Sequence, residues 1–222
     1  MKISVIIPAV NEGQNLPTTL KRIKEERPYE IIVVNGNSKD NTAEISKKYA
    51  HVLTIKEKSW RSTLMNAGAA RATGDTLLFL HADTILPKKS LKKIPKKTQA
   101  AAFFIMFDYD HWFLKTAAWY ANNIRLRRGI AFGDHGLLIT KDLFDNVRGY
   151  PNISIFEDLE LCKRIKKHTA LFLLKEPVVT SSRRYLTTGL LKQFLINQLV
   201  KTFHFLHVNH LAVRNIYVQL KR

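Results

Sequence analysis

Through the first 80 residues, compact β-branched runs alternate with helical stretches, and this rhythm restricts the chain to few architectures. Residues 3–7 (Ile-Ser-Val-Ile-Ile), 30–34 (Glu-Ile-Ile-Val-Val), 52–55 and 76–80 read as strands. Between them, residues 15–25 place Leu16, Leu20 and Ile23 on one helical side. Residues 41–50 form a second helix with Asp40 as its N-cap, and residues 61–72 an alanine-rich third, ended by Gly74. Strands that read as continuous apolar runs need cover on both faces. The expected class is therefore α/β, a mostly parallel sheet flanked by helices. In such sheets ligands bind where the C-terminal ends of strands open into loops, so chemistry is sought there.

The second half is less regular. Residues 100–107 read as a strand, 111–128 as a helix carrying Trp112, Trp119 and Tyr120, 136–140 as a strand, 157–167 as a helix, and 171–175 and 178–181 as two strands. From about residue 187 Leu190, Leu191, Phe194, Leu195, Leu199, Phe203 and Leu206 recur at helical spacing between Lys192, Gln193, Asn197 and Lys201. The division is a domain over residues 1–186 and an amphipathic C-terminal segment over 187–222, which packs on the domain, pairs with a second copy or lies in a membrane interface.

Charge and cysteine use narrow the setting. One cysteine, Cys162, excludes an internal disulfide and fits a reducing cytoplasm; on its helix it reads as a small core residue. The N-terminus shows no targeting segment, and no stretch reaches the roughly 18–20 apolar residues of a bilayer span. The net charge of +18 suits anionic surfaces. The run Lys88–Lys97 puts lysines on one helical face with Leu91 and Ile94 opposite. It is read as a solvated face, with the inner face of the cell membrane as an alternative and no specific nucleic acid as partner.

Four polar clusters follow strands or open a helix: Pro8-Ala9-Val10-Asn11-Glu12, the loop from Asn35 to Thr42, His81-Ala82-Asp83-Thr84, and Glu157-Asp158. Each alone is ordinary turn or cap chemistry; at one sheet edge they form a site. Asp83, at a strand end, suits a divalent ion shared with a diphosphate. A diphosphate leaves poorly until its charge is neutralised. Asp158 across the site is placed to take a proton from an attacking hydroxyl.

These residues also carry a resemblance. Ser4 to Glu12 resembles the opening strand of family 2 glycosyltransferases with the GT-A fold, and Asn35 to Thr42 resembles their second motif. Asn66-Ala67-Gly68 and Ala72-Thr73-Gly74-Asp75 precede His81-Ala82-Asp83, which occupies the Asp-x-Asp place. Gly133-Asp134-His135-Gly136, Gly149-Tyr150-Pro151 and Glu157-Asp158 follow in order, and Thr180 to Tyr185 resembles a segment of a small bacterial subgroup. The likeness spans about residues 2–185. It implies the nucleotide-diphospho-sugar transferase fold and inverting transfer from a nucleotide-sugar, foremost a UDP-sugar, to a hydroxyl of a saccharide or lipid-linked acceptor. By the same resemblance, Asp83 would hold Mg²⁺ or Mn²⁺, and Asp158 and Glu157 would be the catalytic carboxylates, Asp158 as the base. Pro8, Asn11, Glu12, Asn35, Ser38, Arg61, His81 and Ala82 would line the donor nucleotide. Asp134, Arg183 and Arg184 would serve the acceptor or the phosphates.

Two positions depart from the family pattern. Asn35 stands where an aspartate usually contacts the base, and His81 replaces the first Asp of Asp-x-Asp. Asn35 can still accept a hydrogen bond, and an imidazole at 81 would tilt the metal toward Mn²⁺. The rival readings are a nucleotidyltransferase on a related fold and a non-catalytic basic lipid- or nucleic-acid-binding module. His204, His207 and His210 read as a polar helix edge rather than a second metal site, and the tryptophans of 111–128 as packing rather than a sugar platform.

Overall fold

The computed structural model describes residues 1–57, 59–206 and 208–220. The elements run β1 (Ile3–Ala9), α1 (Leu16–Glu26), β2 (Glu30–Asn35), α2 (Thr42–Lys47), β3 (His51–Thr54), α3 (Arg61–Arg71), β4 (Thr76–Phe79), β5 (Thr84–Ile85) and β6 (Ala100–Phe107). They continue with α4 (Trp112–Tyr120), β7 (Leu137–Thr140), α5 (Lys141–Asn146), α6 (Glu157–Ile165), β8 (Phe172–Thr180), α7 (Arg183–Thr188), α8 (Leu190–Phe205) and α9 (His210–Gln219). One sheet holds the strands in the order β3-β2-β1-β4-β7-β6-β8-β5. Strands β3, β2, β1 and β4 are parallel, as are β6 and β8; β7 and β5 run against their neighbours.

The apolar runs form the centre of this sheet because both its faces are covered. Val5 and Ile7 join Leu16, Leu20 and Ile23 of α1 on one side, while Ile6, Ile32 and Val34 join Leu64 and Met65 of α3 on the other. At roughly 1.5–3 kcal/mol for each such side chain fully removed from water, this double sandwich fixes the strands and hence their loop ends. Gly68 is required for the approach: a Cβ there would lie 2.5 Å from Ile6 and 2.9 Å from Val34. Pro8 is tolerated in a central strand because the pairing of β1 with β4 has already ended at Ile6.

Several sequence expectations are corrected. The strands expected at 171–175 and 178–181 are one strand, β8, whose register against β6 shifts between Phe103 and Ile105, so that Pro177 sits in the irregularity. The 111–128 helix is α4 followed by a π turn over Ala121–Arg125 and a 3₁₀ turn over Leu126–Arg128. Among Lys88–Lys97 only Leu91–Lys93 is helical, one 3₁₀ turn, although Leu91 and Ile94 do point inward. Asp40 does not cap α2 from the N-cap position, which Asn41 holds without a side-chain bond. Trp112 and Trp119 do not pack inside: they are 71% and 59% exposed.

Candidate functional site

The first two loops are knitted to each other before any ligand is considered. The Asn11 N–H donates to Ser38 Oγ (3.0 Å), Lys39 N–H to Asn11 Oδ1 (2.8 Å), Gly13 N–H to Asp40 Oδ2 (2.9 Å) and Glu12 N–H to Thr42 Oγ1 (2.8 Å). Asn11 and Asn37 sit at left-handed φ of 55° and 57°, a conformation asparagine tolerates. Asn35 acts inward: it is buried, and its Oδ1 accepts the Ser38 N–H at 3.1 Å. The acceptor atom expected to face a base is thus already engaged in shaping the loop. Asp40 and Thr42 were not anticipated as organisers, since their bonds join turns 27 to 30 residues apart.

At the open end of the rim stand Glu12, Asp83 and Arg183. Arg183 grips Glu12 through both terminal nitrogens (2.8 and 2.5 Å), and its Nη2 also lies 3.1 Å from Asp83 Oδ2. Burial pushes the Asp83 carboxyl above its usual range; Arg183 opposes that shift and Glu12 adds to it. Ala82 is buried, and its carbonyl accepts Thr19 Oγ1–H at 2.8 Å, which anchors this loop to α1.

At the closed end Arg61, on the first turn of α3, donates from Nε to Glu157 Oε1 (2.6 Å) and from Nη1 to His81 Nε2 (2.8 Å). A guanidinium can only donate, so His81 is the acceptor and is neutral. Burial and then Arg61 depress its pKa to about 3. The imidazole that could have widened a metal site is therefore committed to Arg61. Phe156, at φ 66°, turns the chain so that Glu157 and Asp158 enter the first turn of α6, where carboxylates favour the helix end. Both are buried, at 2% and 4% exposure. Asp158 Oδ2 accepts the Gly133 N–H at 2.9 Å. Burial foremost, and the Glu157 charge next, push the Asp158 carboxyl up, against the pull of Arg61.

Gly133 touches both Asp158, through its backbone, and the loop that carries Asp83, through the His81 ring against its α-carbon; a Cβ would meet Nε2 at 2.0 Å. Beside it, burial pushes Asp134 up, but the charges of its neighbours, Arg125 and Arg184 among them, hold its carboxyl below the usual range, and its Oδ1 has no hydrogen-bond partner. His135 is locked by Phe103 O on Nδ1 (2.8 Å) and Arg125 on Nε2 (2.8 Å), a support not foreseen in the sequence. Arg184 is exposed on α7, near enough to affect His81, Asp83 and Asp134 electrostatically. Asn66 holds the loop preceding α6, donating to Tyr150 O (2.8 Å) and accepting the Tyr150 N–H (2.9 Å).

The fit of a divalent cation can be judged from the donor set. Among the described residues no group of three His, Cys, Asp or Glu side chains converges. Asp83 fits an ion only if most of its other ligands are supplied by a diphosphate and water. Two carboxylates already draw one cation, Arg183, to that place. His204 does not belong to a metal cluster either, nor to a polar edge: it is buried, its ring tilted against Phe156 and His210 with Nε2 3.3 Å from Glu160, while His207 lies outside the described residues. Cys162 is buried, its thiol pushed up to about 12 by that burial, and it bonds the backbone of Ala131 as a core residue would.

Known proteins share this arrangement of elements. The structure of S. aureus TarS residues 1–349 superposes with a TM-score of 0.68 at 17% identity, over 84% of this chain and 62% of that one. The same protein solved with UDP-GlcNAc gives 0.66 at 18%, over 82% and 59%. The Pyrobaculum calidifontis mannosyltransferase PcManGT, solved with GDP-Man and Mn²⁺, gives 0.64 at 17%, over 91% and 64%. The chain thus spans about three fifths of these solved chains, and 44% of the longer TarS structure. The family model for glycosyl transferase family 2 matches residues 4–148, from β1 through α5. With most of its length inside that match and the sheet of the GT-A enzymes around its carboxylate rim, the chain belongs to glycosyl transferase family 2.

Proposed function

We propose that the chain moves a sugar from a nucleotide-sugar, a UDP-sugar foremost, to a hydroxyl acceptor with inversion at the anomeric carbon. The observation that carries this reading is the pair of carboxylates on one rim, Asp83 toward Arg183 and Asp158 toward Gly133, joined through His81. Support for the donor class comes from TarS with UDP-GlcNAc and PcManGT with GDP-Man and Mn²⁺. The knitted loops at Asn11, Glu12, Asn35 and Ser38 form the nucleoside wall, with Pro8 and Ala82 as its backbone floor. Asp83 would hold Mg²⁺ or Mn²⁺, which neutralises the leaving diphosphate. Arg183 and Arg184 provide fixed positive charge for the same phosphates.

Asp158 receives the proton. Its Oδ2 is held by Gly133, which leaves Oδ1 for the acceptor hydroxyl. The hydroxyl oxygen forms the new bond to the anomeric carbon, the bond from that carbon to the diphosphate breaks with its electron pair, and the proton moves to Oδ1. A carboxyl lifted by burial is a stronger base than an exposed one. Glu157 keeps Arg61 in place, so its role is positioning. Asp134 lines the acceptor side.

Thermal unfolding with UDP, GDP and their sugars, with and without Mn²⁺, tests the assignment. One nucleotide should stabilise the chain in a Mn²⁺-dependent way, by about 2.7 kcal/mol at a hundredfold excess over Kd. No shift with any nucleotide ends the donor reading, and an equal shift in chelator ends the role of Asp83.

A further inference from the structure

Helix α8 carries more apolar surface than the domain uses. Its inner stripe, Gln193, Ile196, Val200 and His204, is buried against Phe156, Leu159 and Val213. A second stripe, Leu191, Leu195 and Leu199, faces out at 64%, 58% and 41% exposure. A helix apolar on both sides is ordinarily enclosed on both. With Lys192 and Leu220 at the end of the chain, this stripe lines an open, almost wholly apolar groove of about 700 Å³. The patch continues across Phe194, whose ring meets Phe113 of α4 edge-on at 5.6 Å, to Trp112 beside it at 5.8 Å. Trp119, on the same helix, is also exposed.

The charge around this patch is one-sided. Helix α8 carries Lys192 and Lys201 and no Asp or Glu, and the segment from Trp112 to Arg128 exposes Lys115, Arg127 and Arg128, with Asp110 meeting Lys115. Two copies pressed together through this face would set basic strip against basic strip, which disfavours self-pairing. A surface that is apolar with a negative rim satisfies both properties. No described helix is long and apolar enough to cross a bilayer, so the contact is interfacial. We propose that the outer face of α8, with Trp112 and Trp119 of α4, seats the protein on an anionic lipid bilayer, leucines among the acyl chains and lysines and arginines at the phosphates. The proposal uses none of the residues assigned to the donor, so it is tested apart from the donor assignment.

Co-sedimentation tests it with the full chain, using phosphatidylcholine vesicles with and without about 30% phosphatidylglycerol. Binding should require the anionic lipid and fall between about 0.05 and about 0.5 M salt. Leu195→Glu/Leu199→Glu and Trp112→Ser/Trp119→Ser should each lower the partition coefficient roughly tenfold or more. Both variants should keep the melting temperature of the parent, which shows that they fold. Absence of pelleting on anionic vesicles at low salt overturns the proposal, as does equal pelleting by folded variants. A doubled mass by light scattering that Leu195→Glu/Leu199→Glu abolishes, without vesicle binding, assigns the face to a second copy instead.

Discussion

At one end of the rim Glu12 and Asp83 share Arg183, and at the other Glu157 and Asp158 sit around Arg61 and Gly133. The residue types are the same, but the surroundings are not. The first pair of carboxylates is 16% and 17% exposed, with an arginine 45% exposed between them. The second pair is buried, at 2% and 4%, although the Arg61 that meets it is 42% exposed. Ion pairs open to water contribute little to stability, about 0–1 kcal/mol, so Arg183 can turn from Asp83 to the phosphates at small cost when a cation takes its place there. Buried carboxylates have no such freedom; desolvation changes what Asp158 is, raising its basicity, while Arg61 holds Glu157 in orientation. The open end is thus suited to recruiting charge and the buried end to moving a proton.

Replacing one carboxylate at each end separates these roles. Asp158→Asn keeps an oxygen for the Gly133 N–H but cannot take a proton. Turnover should fall about 10²–10⁴-fold with the nucleotide-induced thermal shift retained; unchanged turnover would move the proton acceptor elsewhere, with Asp134 the neighbouring carboxylate. Asp83→Asn should do the reverse kind of damage. The Mn²⁺-dependent part of the nucleotide shift, about 1–3 kcal/mol at saturating ligand, should vanish. Without ligand the melting temperature should not fall, because burial already disfavours the ionised Asp83.

How much of this division could be read in the sequence follows from the range of each interaction. Strands β1, β2, β4 and β6 were legible because enclosed strands must be apolar along their whole length. The loop after β4 followed, and with it the place of Asp83; Asp158 was found at the opening of α6. The break assumed at Pro177 was misplaced because a register shift against β6 absorbs it, which local residues do not signal. Arg183 was named without a partner; its hold on Glu12 spans 171 positions and exists only once α7 crosses the rim. The capture of His81 by Arg61 was equally hidden, and it removes the imidazole from the metal. The tryptophans of α4 read as core because large aromatics usually are; their exposure depends on what covers α4, which is a tertiary fact.

Gly133 touches both Asp158 and the loop that carries Asp83, so Gly133→Ala tests whether the two ends are mechanically joined. The added methyl would collide with the His81 ring at 2.0–2.9 Å. That ring cannot retreat without giving up the Arg61 bond, and overpacking of this kind costs about 1–3 kcal/mol. Urea unfolding should show a loss of that size, and nucleotide affinity and turnover should drop together. Loss of turnover alone would mean that His81 yields without disturbing the open end.

The smallest effect expected is a displacement along the pH axis, and it examines the buried end directly. If Asp158 is the proton acceptor, as proposed, it must be ionised, so kcat/KM should rise with pH through its titration, and the acid limb should lie above the usual carboxylate range because burial and Glu157 lift that group. The sign for stability is opposite. A carboxyl whose pKa is higher folded than unfolded destabilises the fold when ionised, so its cost is present above the folded value and disappears as pH falls below the unfolded one. Glu157→Gln removes the neighbouring negative charge and leaves Arg61 nearby, both of which favour ionised Asp158. The acid limb should therefore move to lower pH in that variant while the maximum rate changes by less than the Asp158→Asn loss. A limb that stays in place would show that Glu157 does not act on Asp158 through charge, and that desolvation alone distinguishes the buried carboxylates from the open ones.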